Sequence, residues 1–189
     1  MVCIDDTLDA PPAWAPTEFL VREAAQDWER REAYALRRAV FCIEQGLFAG
    51  DDRDAVDARA RLLVAMACTG GMPEQVVGTV RIHEDAPDAS PGRWRGSRLA
   101  VHPAFRSQGQ LGATLIRLAV GLAHAAGCRT FLAHVQQQNV PLFVKLHWQP
   151  LAEVQLHGRP HSEMCADLAA YPPCRDGLSG YVTRARSLA

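Results

Sequence analysis

The chain has 189 residues, 48% of them apolar and 22% charged, with 20 Lys and Arg against 21 Asp and Glu for a formal charge of -1. At roughly 100–200 residues per domain this is one domain with short tails, and its apolar content excludes general disorder. Its neutrality removes any bulk electrostatic attraction to nucleic acid or to an anionic membrane.

No apolar run approaches the roughly 18–20 residues needed to span a bilayer. The N-terminus is acidic, without a basic segment before an apolar stretch, so a cytoplasmic protein is expected. The six cysteines, Cys3, Cys42, Cys68, Cys128, Cys165 and Cys174, lie far apart with no C-x-x-C. They read as buried hydrophobes in a reducing compartment. The one H-x-x-x-H pair, His157 and His161, spans the turn His157-Gly-Arg-Pro160, and the histidines and cysteines form no zinc-type Cys/His set, so no metal site is expected.

Residues 1–17 carry Pro11, Pro12 and Pro16 without periodicity and read as a flexible leader. The domain proper is assigned to 18–171. Phe19 to Arg22 is a short strand. Asp27 to Ile43 has apolar residues at Trp28, Leu36, Ala39, Val40 and Ile43 and predicts a helix. Asp51-Asp-Arg-Asp54 is a charged loop. Arg61 to Cys68 is an apolar strand turned by Gly70-Gly71. Val76 to His83 alternates, with Val76, Val80 and Ile82 expected on one face and Thr79, Arg81 and His83 on the other. A polar loop with Pro87 and Pro91 leads to a strand from Ser97 to His102, with Leu99 and Val101 on one face. Leu111, Leu115, Leu118, Ala119, Leu122 and Ala126 follow helical spacing, and Gly127 supplies the stop. Thr130 to Val135 is a strand and Val140 to Leu146 a short helix. Leu151 to Leu156 and Ser162 to Leu168 are strands about the turn His157-Gly-Arg-Pro160. Pro172-Pro173 opens a partly docked C-terminal tail, 172–189. The pattern predicts a mixed α/β sheet flanked by helices.

The most informative segment is Val101-His-Pro-Ala-Phe-Arg106-Ser-Gln-Gly109-Gln-Leu-Gly112-Ala-Thr-Leu115. It runs from a strand end through a proline stop to a helix start. Glycines without Cβ let backbone N–H groups converge, the helix N-terminus adds partial positive charge, and Arg106 adds a full one. A phosphate or pyrophosphate is the natural guest. The segment is not G-x-x-x-x-G-K-[ST], which excludes a nucleoside-triphosphatase loop. It is not a G-x-G-x-x-G after a first strand, which argues against a dinucleotide fold.

This segment, the following Gly127-Cys128 and strand, and then Asn139-Val-Pro-Leu-Phe143-Val-Lys145-Leu-His-Trp148 together resemble the GNAT family of acyl-CoA-dependent N-acetyltransferases over roughly residues 19–168. Arg38-Ala-Val-Phe-Cys-Ile-Glu-Gln45 is similar to a V-F-x-x-E-Q segment of the ElaA-like branch, and Gly158-Arg-Pro-His161 with Met164 is similar to its G-x-P-H-x-x-M. A weaker likeness is to GNAT domains found beside nitrilase-type gene clusters. The resemblance implies a central twisted mixed sheet flanked by helices, with acetyl-CoA as acyl donor.

It also implies site residues. Arg106, Ser107, Gln108, Gly109, Gln110, Leu111, Gly112 and Ala113 would grip the pyrophosphate of coenzyme A. The chain departs from the family's R-x-x-G-x-[GA] loop by one extra residue, and Gly112 holds the second-glycine position when counted back from Gly127. Backbone N–H groups near Leu99, Ala100 and Val101 would donate to the oxyanion. Asn139 would bond the pantetheine arm, a place that also suits a helix N-cap. Phe143 stands against the cofactor where the family's general-acid Tyr is found, and it has no proton to donate.

Candidate bases follow from position: Glu44 at the end of the first helical region, Glu84 at a strand end, and His161 at the start of the last strand. His134 and His102 are further candidates, since histidine titrates near neutrality. The implied reaction is acetyl transfer to a primary amine of a small molecule by direct attack in a ternary complex. A longer-chain acyltransferase and a non-catalytic acyl-CoA-binding module are the alternatives, the second motivated by Phe143. Loops 49–57 and 85–94 are expected to line the acceptor entrance. The four Asp of the first loop either favour a cationic amine or form a solvated loop. A homodimer through the terminal strands is common in folds of this kind.

Overall fold

The computed structural model describes residues 16, 18–85, 90–108 and 110–184. Its strands are β1 (Glu18–Glu23), β2 (Arg61–Thr69), β3 (Met72–Glu84), β4 (Arg93–Val101), β5 (Thr130–Gln136), β6 (Trp148–Leu156), β7 (Arg159–Ala166) and β8 (Tyr181–Arg184), and its helices are α1 (Asp27–Arg37), α2 (Leu111–Ala125) and α3 (Val140–Lys145). The strands form one sheet in the order β6-β7-β5-β4-β3-β2-β1-β8. β4 and β5 pair in parallel, and the other neighbours pair antiparallel. This is the mixed, helix-flanked sheet that the pattern predicts. No helix among the described residues is long and apolar enough to cross a membrane.

The sheet is covered on both faces, so its central strand is apolar on both. β2 sends Leu63, Ala65 and Ala67 into one core with Leu115, Leu118 and Leu122 of α2. It sends Leu62, Val64 and Met66 into a second core with Ala33 and Leu36 of α1. That division is the two-residue period of a strand. β3 departs from it. Its pairing with β2 slips between Ala65 and Met66, which oppose Gly78 and Val76 and leave Val77 as a bulge. The extra residue inverts the faces beyond it. Val80 and Ile82 therefore join the α2 core as expected, but Val76 lies in the α1 core and Val77 takes the place expected of it.

The first helical region also departs from its regular reading. α1 stops at Arg37, and Arg38–Glu44 continues as a π-helical turn, a wider coil that is rare and frequent at functional sites. The bonds from Gln45 N to Val40 O at 3.0 Å and from Leu47 N to Phe41 O at 2.8 Å close it.

The described segment after Pro172-Pro173, as far as Arg184, docks on the domain. Cys174 N donates to Gly121 O at 2.9 Å and Glu23 N to Gly177 O at 2.7 Å, and β8 pairs with β1. A Cβ at Gly180, where φ is +60°, would lie 2.1 Å from Val21 O, so this approach needs glycine. Of the expected leader, Pro16 is described and buried; residues 1–15 and 17 lie outside the described residues.

A charged cluster fastens α1 to the sheet. The fully buried Arg37 donates to Asp52 Oδ2 at 2.8 Å and to the two Asp57 oxygens at 2.6 and 3.0 Å. Arg81 forks onto Asp54 at 2.7 and 2.8 Å and lies 2.8 Å from Asp57. All four aspartates of the loop therefore pair with arginines: Asp52, 1% exposed, and Asp57 are drawn inward, while Asp51 and Asp54 keep exposed side chains. Removing one partner of a buried pair costs about 3–5 kcal/mol, whereas an exposed pair is worth about 0–1 kcal/mol. Arg37→Ala should thus lose about 3–5 kcal/mol in urea denaturation. Arg53→Ala, which breaks the exposed Asp51 pair, should lose less than about 1 kcal/mol.

Candidate active site

β4 and β5 run in parallel but stay together only briefly. Their pairing extends from Arg93↔Thr130 to Gly96↔Ala133 and stops there, although β4 continues to Val101 and β5 to Gln136. N–H groups alternate between a strand's two neighbours, so past Gly96 those of β4 that aim away from β3 face a gap. β4 is also bulged at this point. Ala100 opposes Thr79 and Ser97 opposes Arg81, so Arg98 and Leu99 share Val80, and Arg98 has φ 57°. A left-handed non-glycine residue is held there by its surroundings. Arg98 Nε donates to Asp52 Oδ2 and Nη2 to Asp52 O, each at 2.8 Å, and the guanidinium stacks 4.4 Å over the Phe48 ring.

The gap opens into a cavity of about 220 Å³. Its floor, on the α2 side, is apolar: Ile116, Ala119 and Val120 of α2, with Phe131, Phe143 and Trp148. Trp148 meets Phe131 and Phe143 edge-on, at 5.7 and 5.0 Å. Tyr171 fixes that floor from behind. Its hydroxyl donates to Leu146 O and accepts from Trp148 Nε1 at 3.1 Å. The opposite side is polar, with Gln45, Arg95, Arg98, His134, His157 and His161. Gln136 Nε2 reaches Gln45 Oε1 at 2.9 Å, and Arg159 Nη2 reaches Gln45 O at 2.6 Å. These bonds tie the end of the π-helical turn to β5 and β7.

The residues expected in the site fall into three groups. Leu99, Asn139, Phe143 and His161 line the cavity. Asn139 makes no side-chain cap bond to α3, so its position is not explained by capping. The second group surrounds the start of α2. Gln110, with φ 50°, precedes Leu111 and the buried Leu111 and Ala113 anchor the turn. Gly112 would point a Cβ into space with nothing within 4 Å. Arg106 Nε donates to Val101 O at 3.1 Å and its Nη2 to Glu44 Oε2 at 2.5 Å. Ser107, exposed, and Gln108, half-buried, lie in the turn before it, and Ala100 packs in the α1 core. Gly109 lies outside the described residues.

The third group is not brought to the cavity. Glu44 reaches Arg106 instead of the cavity lining. Glu84 accepts from Gly92 N at 2.6 Å and closes the turn between β3 and β4, at the end of β4 away from the gap. Loops 49–57 and 85–94 are also not among the described lining residues. His102 Nδ1 accepts from Ala104 N at 3.3 Å, a local cap. Burial, with Arg106 nearby, lowers its pKa.

The described lining has no Tyr, Lys, Cys, Asp or Glu, so proton transfer within it falls to His134, His157 and His161. His161 Nδ1 lies 3.0 Å from Arg159 O. A carbonyl only accepts, so Nδ1 carries the hydrogen and neutral His161 offers Nε2 as a base. His134 Nε2 lies 3.5 Å from Glu163, but burial and then Arg95 lower its pKa. Sequence reasoning missed Arg95, Arg98, Gln45, Phe48 and His157. The alternation Arg93-Trp-Arg95-Gly-Ser97 was the available sign that β4 starts at Arg93. The bulge that turns Arg98 has no such sign.

Residues 17–148 match the model of the acetyltransferase (GNAT) family. The chain belongs to that family. Solved structures with its fold include a presumed N-acetyltransferase from Lactobacillus plantarum, at 23% identity and TM-score 0.68, covering 79% of this chain and 98% of that one. Escherichia coli ElaA matches at 18% identity and TM-score 0.65, covering 80% and 99%. BjaI, a CoA-dependent acyl-homoserine lactone synthase solved with SAM and isopentyl-CoA, matches at 16% and 0.63, covering 79% and 83%. No curated protein matches the sequence. The GNAT resemblance read from the motifs is borne out.

The arginine cluster beside the bulge depends on ionised aspartates. Burial opposes the charge of Asp57, but hydrogen bonds from Arg37 and Arg81 overcome it and hold the carboxyl well below its usual range. The fork from Arg81 holds Asp54 low against burial. A carboxyl with a depressed folded pKa contributes stability that is present above its unfolded value and lost as pH falls below it. Stability measured by urea titration should therefore fall as pH drops below about 4. Asp57→Asn should be less stable at pH 7 and should flatten that acid limb.

Proposed function

We propose that the protein is an acyl-CoA-dependent N-acyltransferase that passes an acetyl group to a primary amine of a small molecule by direct attack in a ternary complex. The observation that carries this reading is the parting of β4 from β5 at a bulge, over a cavity whose proton carriers are histidines. The residues present fit coenzyme A: the backbone at Gly112 is open, with no atom within 4 Å of where a Cβ would lie, the N-terminus of α2 adds partial positive charge, and Arg106 stands in the turn before that helix. Both members of its pair with Glu44 are about 40% exposed (45% and 39%), and such a pair is weak enough to exchange for a phosphate.

The donor supplies the acyl unit as a thioester and departs as a thiol. Backbone N–H groups of β4 beside Leu99 receive the developing oxyanion, without reorganising, because the bulge already aims them into the gap. His161 Nε2 takes the proton of the attacking amine. Phe143 packs the floor and leaves protonation of the departing thiolate to the histidines or to water. Loss of a general acid or base costs about 10²–10⁴-fold, so the Phe at this position slows a transferase without abolishing it.

One further reading has its own support. The apolar floor continues from the gap to Ile116 and Val120, space that suits an acyl chain longer than acetyl. A series of acyl-CoA lengths, read as kcat/KM by thiol release, separates the two.

Coenzyme A at 100 times its Kd should stabilise the chain by about 2.7 kcal/mol, a midpoint rise of roughly 5–11 °C for a domain this size. ATP and NADH should give none. Gly112→Ala should gain about 0.5–1 kcal/mol of stability as a helix substitution yet raise the Kd for coenzyme A about tenfold or more. His161→Asn should keep that Kd and lower kcat by about 10²–10⁴. A chain that gives no shift with millimolar coenzyme A while folded is not such an enzyme.

A further inference from the structure

The polar side of the cavity carries its charge on arginines. Arg95, Arg98, His134, His157 and His161 line it, and none of the described lining residues is a carboxylate. The aspartates that the sequence places nearby are turned away into the cluster with Arg37 and Arg81. Asp85 and Glu163 stand behind the lining against Arg95 and His134, so an aminoglycoside or a polyamine would meet no carboxylate in the described lining itself.

The two guanidiniums differ in how they are held. Arg98 is fixed by Asp52 at 2.8 Å. Arg95 is held loosely: its nitrogens lie 3.3 Å from Asp85, 3.3 Å from His134 and 3.5 Å from Glu163. These distances exceed the usual 2.7–3.2 Å, and charge-assisted bonds shorten to about 2.7–2.9 Å. Its side chain is 20% exposed, so it is desolvated, aimed at the cavity and poorly satisfied. Five donors in a planar fork match a carboxylate.

The donor's phosphates do not account for this charge. Their candidate cradle starts at Arg106, beyond Val101. Six residues of strand, about 20 Å, separate Val101 from Arg95.

We propose that the acyl acceptor is an amine that also bears a carboxylate, an amino acid or a close relative, and that Arg95 is a specificity-determining residue that binds this carboxylate while Arg98 adds to the field. This rests on the acyltransferase reading above. No bond to the carboxylate forms or breaks: the amine nitrogen gains the acyl group, the donor sulfur gains the proton, and the carboxylate stays ionised throughout.

The test compares the twenty protein amino acids with their carboxamides, using the full chain with acetyl-CoA. Thiol release gives kcat/KM, and calorimetry on the coenzyme A complex gives acceptor binding. At least one free acid should exceed its amide by about tenfold or more, mainly through KM. Arg95→Gln should lower that preference by about 10–100-fold, the weight of a charged hydrogen bond, while Arg95→Lys retains part of it and the Kd for coenzyme A is unchanged. The inference is overturned if amides equal the acids, if no acid is bound or acylated although coenzyme A binds, or if Arg95→Gln keeps the preference. Failure of coenzyme A itself to bind removes the acyltransferase reading instead, so the two failures are distinct.

Discussion

The arrangement depends on a few arginines buried with aspartates. Arg37 leaves the end of α1 and meets Asp52 and Asp57; Arg81 leaves β3 and meets Asp54 and Asp57; Arg98 leaves β4 and meets Asp52. Helix, loop and two strands thus converge on three carboxylates. A hydrophobic contact in this place would tolerate sliding, because burial is non-directional. Forked guanidiniums do not, because they bond carboxylates in a fixed plane. The left-handed backbone at Arg98 is maintained at this junction, and with it the aim of the neighbouring N–H groups.

The cavity follows from that anchoring together with the sheet's single parallel step. β4 is held toward β3 and the cluster, β5 is held toward β7, and nothing in the ladder joins them beyond Gly96 and Ala133. Aromatic edges under Trp148 keep the opening from collapsing. Opposite ends of one strand then have different surroundings, with Arg106 and the start of α2 beyond Val101 and a wall of arginine and histidine beginning at Arg95.

The fold was largely legible because its elements are strongly periodic. The spacing of α2 and the apolar run of β2 leave few alternatives, and the motifs around Arg106, Asn139 and His161 pointed to GNAT before any geometry was known. What escaped has a common cause: a change of register. One extra residue at Val77 moved Val76 to the other core, a π turn replaced the last turns of an expected helix, and a bulge rotated Arg98 into the site. Alternation cannot show an insertion in itself. Charges misled for another reason. Asp52 and Asp57 have partners 15 and 20 residues away at Arg37, so a local reading saw an open acidic loop. Glu44 and Glu84 looked catalytic as isolated carboxylates at element ends, yet each closes a nearby contact.

The clamp of Tyr171 on Leu146 and Trp148 has a consequence for how the protein is made. Synthesis proceeds from the N-terminus, and structure forms in the order in which chain emerges. The floor of the cavity takes its bracing from Tyr171, which follows β7 in the chain, and β8 pairs with β1. During synthesis β1 therefore keeps a bare edge, and the pocket stays unbraced, until Tyr171 and then β8 have emerged. Docking of these later segments on the earlier-made sheet is the step that completes the cavity.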